Sequence, residues 1–131
     1  MPAKNPASLR VLIVDDESLI RWSLAETLGR QGWVVTEASD AKSALRLVAD
    51  AREPFDVVVL DFRLPDSSDL GLLSRIRTVS PLSQVILMTA FGTPELLDHA
   101  RQLGAVAIVH KPFDLAEVSA LAWQVSHERQ A

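Results

Sequence analysis

Five side chains in this sequence could do chemistry together, and each closes an apolar run. Asp15 and Asp16 follow Val11–Val14, Asp61 follows Val57–Leu60, Thr89 follows Val85–Met88, and Lys111 follows Val106–Val109 after His110. Two acids side by side at the end of a buried run are costly. Unit charges about 4 Å apart at an effective dielectric near 20 repel by roughly 4 kcal/mol. A bound cation would relieve them. Hard oxygen ligands without Cys or suitably spaced His favour Mg²⁺, which takes one or two carboxylates together with water and phosphate oxygens. A carboxylate can also act as a nucleophile toward a phosphoryl group. Such a transfer asks the protein for in-line positioning and neutralisation of the equatorial oxygens. The ion and Lys111 would supply charge, and the Thr89 hydroxyl a hydrogen bond.

The elements that must position these residues can be read from the apolar pattern. The four runs above, and a weaker one at Trp33–Val35, are short and mostly β-branched, as strands covered on both faces are. The weaker run turns polar at Thr36 and Glu37, which places it at a sheet edge. Between the runs lie helical patterns. Ile20, Leu24 and Leu28 share a stripe that Gly29 and Gly32 end. Ser39 or Asp40 can cap a second helix carrying Ala44, Leu45 and Val48. Leu72, Leu73, Ile76 and Val79 mark a third, stopped near Pro81. Thr93 and Pro94 open a fourth, with Leu96, Ala100 and Leu103 on its face and Gly104 after it. Asp114 can cap a fifth, with Leu115, Val118, Ala122 and Val125 on one stripe. Alternation of this kind predicts a parallel sheet with helices on both faces. In such sheets ligands bind beyond the carboxyl ends of the strands, where the five polar residues fall.

Composition sets the bounds. A chain of 131 residues with 48% hydrophobic and 23% charged residues fits one domain with one core. Without cysteine there is neither a disulfide framework nor a thiolate metal site. The apolar runs are far too short to span a membrane, and the start, MPAKNPASLR, lacks a signal-peptide core. A net charge of −4 argues against direct nucleic-acid binding by this segment.

VLIVDDE, VVVLDFRLPDSS, VILMTAFG and VHKPF resemble the four signature blocks of response-regulator receiver domains. The resemblance covers residues 9–127, leaving 1–8 as a flexible tail and 128–131 as a C-terminal tail or the start of a linker. DFRLPDSSDL and TAFGTPE are most similar to receivers of the nitrogen-regulation type, which sit before an ATPase and a DNA-binding domain in transcription activators. The resemblance implies a flavodoxin-like, doubly wound five-stranded parallel sheet in order 2-1-3-4-5 with five helices. It implies that Asp61 is the phosphoacceptor and that a sensor histidine kinase is the donor. Asp16, Asp61 and the Arg63 backbone carbonyl would ligate Mg²⁺, with Asp15 holding it through water. Thr89 and Lys111 would grip the phosphoryl oxygens, and Lys111–Pro112 would be a cis peptide. The face made by the fourth helix, fifth strand and fifth helix would control homodimerisation or a transcriptional output. The setting would be cytoplasmic, and the protein no enzyme beyond assisting its own phosphotransfer and slow dephosphorylation. Both a stand-alone receiver and a piece of a larger activator fit, and the piece is favoured.

The sequence also departs from the pattern. Ile108 stands where most receivers carry a switching aromatic, and Asp69 where many carry Gly. Phe91 is a candidate substitute for the aromatic, moving against the fourth helix. By the same resemblance, Arg63 and Phe91 would occupy positions that modulate hydrolysis of the acyl phosphate. Ile108 is the one feature favouring an unphosphorylated interaction module. A small Asp-nucleophile phosphatase would want an acid where Arg63 stands, and a cap domain for which there is no room. Outside the rim, His99 is read as a surface helix residue, His110 as a strand end and His127 as tail. Trp22 and Trp33 are read as core or its edge, and Trp123 as a candidate partner face.

Overall fold

The computed structural model describes residues 8–130, so the expected tail lies outside the described residues except for Ser8. The elements in chain order are β1 (Arg10–Val14), α1 (Ser18–Gly29), β2 (Val34–Ala38), α2 (Ala41–Asp50), β3 (Val57–Asp61), α3 (Gly71–Val79), β4 (Gln84–Thr89), α4 (Pro94–Gln102), β5 (Ala105–His110) and α5 (Leu115–Gln130). The strands form one parallel sheet in order β2-β1-β3-β4-β5.

Side chains alternate across a strand, so each interior strand feeds two cores. Leu12, Val14, Val58, Leu60, Val85 and Leu87 pack with Ala44 and Val48 of α2, Leu73 and Ile76 of α3 and Ala100 of α4. Val11, Ile13, Val59, Ile86 and Met88 pack with Leu24 and Leu28 of α1 and with Val118, Ala122 and Val125 of α5. All five residues of β3 are buried, as its central place requires. The last residues of β1, β3, β4 and β5 consequently come to one rim.

The helix starts follow local chemistry. Asp40 Oδ1 accepts from the Ser43 N–H at 2.7 Å, and Thr93 Oγ1 from the Leu96 N–H at 3.2 Å, with Pro94 at the first helical position. Gly104 takes φ +110°, a left-handed conformation that lets the chain turn from α4 into β5. One residue of β5 is skipped in the ladder: Val85 faces Ala105 and Ile86 faces Ala107, leaving Val106 as a bulge with an exposed side chain.

Several expectations need correction. β2 begins one residue later than the apolar pattern suggests and continues through Thr36 and Glu37. An edge strand tolerates them because its ladder to β1 runs from Arg10–Val34 to Val14–Ala38 whatever the side chains. Trp33, just before β2, is buried as read. Trp22 is not core: it is 60% exposed, because two residues' displacement from Ile20 and Leu24 carries it to the far side of α1. Val79, at the end of α3, is 50% exposed rather than on the buried stripe. His127 belongs to α5, its ring stacked on Trp123 at 3.8 Å between centroids. That helix runs on through Gln130.

Candidate functional site

Asp15 follows β1 directly. Its N–H donates to the Ala38 carbonyl (3.1 Å), and its Oδ1 accepts from the Glu17 N–H (2.9 Å), so the buried carboxylate is fixed by its own loop. Arg21 adds a bond with no local sequence signal, its guanidinium donating to the Asp15 carbonyl at 2.7 Å. Asp16, next in the chain, is exposed. Asp61 ends β3 at 6% exposure, and its Oδ1 accepts from the Arg63 N–H at 3.3 Å. Thr89 ends β4, buried, with its Oγ1 accepting from the Phe91 N–H at 3.2 Å. Lys111 follows β5; its N–H donates to the Thr89 carbonyl at 2.9 Å, and the peptide to Pro112 is cis.

The side chains converge. Lys111 Nζ lies 3.1 Å from Asp15 Oδ2 and 3.1 Å from Asp61 Oδ2, with Glu17 Oε1 at 3.6 Å. One carboxylate oxygen from each of Asp15, Asp16 and Asp61 falls within 4.8 Å of the other two. A cavity of about 280 Å³ opens over them, lined by Asp16, Asp61, Arg63, Thr89, Phe91 and Lys111 among others. Phe91 is 72% exposed, and the Arg63 guanidinium sits 5.7 Å from its ring centroid, so these two form one wall of the mouth. Ile108 is half-buried in β5 against the core that holds α2, α3 and α4, paired with Leu87.

The electrostatics match this crowding. Burial, and next the Asp15 charge, push the Asp61 carboxyl up to about 6, while Lys111 pulls the other way. Burial works against the Lys111 ammonium, but Asp15 and Asp61 together hold its pKa above the ordinary lysine value. Three hard oxygen donors at this spacing, two of them on buried acids, fit a small divalent cation such as Mg²⁺.

A sequence profile described as the response regulator receiver domain matches residues 11–122. The chain belongs to the response regulator receiver domain family. Among its relatives, sporulation initiation phosphotransferase F of Bacillus subtilis is 33% identical over 109 residues, which cover 83% of this chain and 86% of that protein. The DNA-binding transcriptional regulator NtrC of Escherichia coli is 36% identical over 121 residues. That match takes in 92% of this chain but only 25% of NtrC, so the receiver spans about a quarter of that relative's length. The likeness to NtrC agrees with the nitrogen-regulation type. Among solved structures, the CheY-like receiver domain protein from Methanospirillum hungatei JF-1 superposes with a TM-score of 0.88 at 26% identity, covering 94% of this chain and 97% of that one.

The hydrogen bonds of two further loop acids carry no clear sequence signal. Asp69, at the position where many receivers have Gly, keeps an ordinary backbone: among the described residues only Gly32 and Gly104 have positive φ. Its Oδ1 accepts from the Gly71 N–H at 2.8 Å, at the start of α3. Asp66 bonds to the first turn of α2, from a loop 24 and 25 residues away in sequence. No helix among the described residues is long and apolar enough to cross a membrane.

Proposed function

We propose that this receiver is a phosphorylation-dependent signalling switch in which Asp61 accepts a phosphoryl group from a sensor histidine kinase. The observation that supports this most is Lys111 Nζ, 3.1 Å from both Asp15 and Asp61, in a residue that lines one cavity with the buried Thr89. An ammonium held there offsets the charge of the two acids and is within reach of a phosphoryl group on Asp61. Asp16, Asp61 and the Arg63 carbonyl would hold Mg²⁺ directly, with Asp15 holding it through water. When bound, the ion supplies positive charge to the phosphoryl oxygens and keeps Asp61 ionised.

The residues then divide the work. An Asp61 oxygen forms the bond to phosphorus as the phosphorus–nitrogen bond of the kinase's phosphohistidine breaks, and the electron pair leaves with the imidazole nitrogen. Lys111 turns from the carboxylates to a phosphoryl oxygen. The Thr89 hydroxyl donates to another, and as it moves toward the phosphoryl group the bond it accepts from the Phe91 N–H breaks. That frees the segment leading into α4, and the face made by α4, β5 and α5 changes, altering dimerisation or an output domain such as the ATPase and DNA-binding parts of nitrogen-regulation activators. Arg63 and Phe91, paired along one wall of the mouth, hinder water and slow loss of the phosphoryl group.

A small-molecule phosphodonor with Mg²⁺ should add one phosphoryl group to the wild type and none to Asp61→Asn, read by intact mass. Equal labelling of both proteins would remove Asp61 from its role. Ile108 in place of an aromatic favours a second reading, an interaction module that is never phosphorylated. The same experiment, with a Mg²⁺ titration beside it, decides it, since such a module would stay unmodified and take up no Mg²⁺.

A further inference from the structure

Asp66 takes no part in the chemistry above, yet it joins two parts of the fold. It sits at the tip of the turn that follows Asp61. Leu64 and Ser67 close this turn through reciprocal backbone hydrogen bonds of 2.8 and 3.2 Å, with Pro65 and Asp66 between them. The same turn forms a wall of the cavity through Arg63, Leu64 and Pro65. From the tip, Asp66 Oδ1 accepts from the Ala41 N–H at 2.8 Å and Oδ2 from the Lys42 N–H at 3.1 Å.

Those are two of the N–H groups that a helix start leaves without partners, and a carboxylate is favoured there by the helix dipole. Asp40 already serves α2 as a local cap through Ser43. The helix start is therefore closed by two carboxylates of different origin. Asp40 belongs to the strand-to-helix corner of α2 itself. Asp66 belongs to the loop that carries the site. Charge-assisted, two-pronged bonds of this kind fix direction as well as distance.

Leu64, buried among the core residues, anchors the turn from below. Asp66 anchors its tip from the side. Arg63 directly precedes Leu64, and its N–H reaches Asp61 Oδ1 at 3.3 Å and so helps set the direction of that carboxylate. A turn that slid or lifted would carry the Arg63 N–H and carbonyl with it.

We infer that Asp66 is a positioning residue for the divalent-ion site: its clamp on the first turn of α2 holds the Leu64–Ser67 turn so that Arg63 faces Asp61 and the cavity. This rests on reading the acidic cluster as a Mg²⁺ site. The competing account is that Asp66 only stabilises α2, and Asp40 provides the control, being a cap of the same helix with no tie to the site loop.

The experiment uses the full chain as wild type, Asp66→Ala, Asp66→Asn and Asp40→Ala. Mg²⁺ is titrated calorimetrically, urea unfolding is measured in EDTA, and the backbone amide spectrum is recorded without metal. Asp66→Ala should weaken Mg²⁺ binding about tenfold, the scale on which partners behind metal ligands act. Asp66→Asn keeps an acceptor oxygen and should recover part of that loss. Asp40→Ala should lose stability yet bind Mg²⁺ as the wild type does. In the metal-free spectra the Arg63 amide should move in Asp66→Ala and stay in place in Asp40→Ala. Wild-type affinity in Asp66→Ala, or an equal loss in Asp40→Ala, would overturn the assignment. A wild type that takes up no Mg²⁺ would defeat the ion reading instead. The metal-free amide comparison then still tests the clamp, and an unmoved Arg63 amide in Asp66→Ala would overturn it. Should Asp66→Ala fail to fold, Asp66→Asn against Asp40→Ala makes the same comparison.

Discussion

At Asp61, burial and the Asp15 charge both oppose ionisation, and Lys111 is the cation that supports it. The consequence is a pH dependence of known sign. The folded pKa, about 6, lies above the ordinary value of 3.8, so between these limits the folded chain holds a proton that the unfolded chain releases. The stability this group contributes is present below the unfolded value and is lost as pH rises through about 6. In EDTA, wild type should therefore lose stability relative to Asp61→Asn between about pH 4 and about pH 7. Paired urea unfolding series across that range measure it, and parallel curves would refute the account. Residues of this kind were legible in the sequence because each closes an apolar run, where a polar group must have a purpose or a partner. Asp66 and Arg21 were not. What they do depends on a helix start and a carbonyl that only the folded chain brings near them.

Elements show the same division between local and distant causes. Asp40, Thr93 and Pro94 declare their helices through neighbours in sequence, and the helices begin where those residues say. Trp22 misleads because an indole announces burial without saying which side of the helix it occupies. Thr36 and Glu37 look like a strand's end, and only the ladder to β1 keeps them within β2. The corner between α4 and β5 depends on both kinds of cause. Gly104 turns at φ +110°, and a Cβ placed there would meet Arg77 Nε at 2.7 Å. Arg77 itself donates to the Pro81 and Ser83 carbonyls, tying down the entry to β4. Gly104→Ala should thus be destabilised by about 1–3 kcal/mol, from a positive φ on a residue with a side chain. Denaturant unfolding reads the effect. A change well below 1 kcal/mol would mean that the corner relaxes freely.

For the molecule as a whole, the sheet separates two cores, and the helices are not equally held by them. α3 buries Leu72, Leu73 and Ile76, while α4 buries only Ala100 fully. A helix with so little anchored surface is the part a small change at Thr89 can move. Amide hydrogen exchange with Mg²⁺ and a beryllofluoride phosphoryl mimic should change in α4 and the segment before it. It should stay level in α3, and change confined to α3 would contradict the proposed route. The layered plan and the rim were legible from the alternation of apolar runs alone. The uneven anchoring was not, because it depends on how many side chains of each helix reach the sheet.

The bulge at Val106 bears on how separate copies of this protein behave in a crowded solution. β5 forms one border of the sheet, and a flat border offers its unpaired backbone groups to any other strand. A single skipped residue interrupts that regular row and adds local twist. The irregularity hinders border-to-border zippering into aggregates, and it does so near the start of β5, whereas the rim lies beyond that strand's other end.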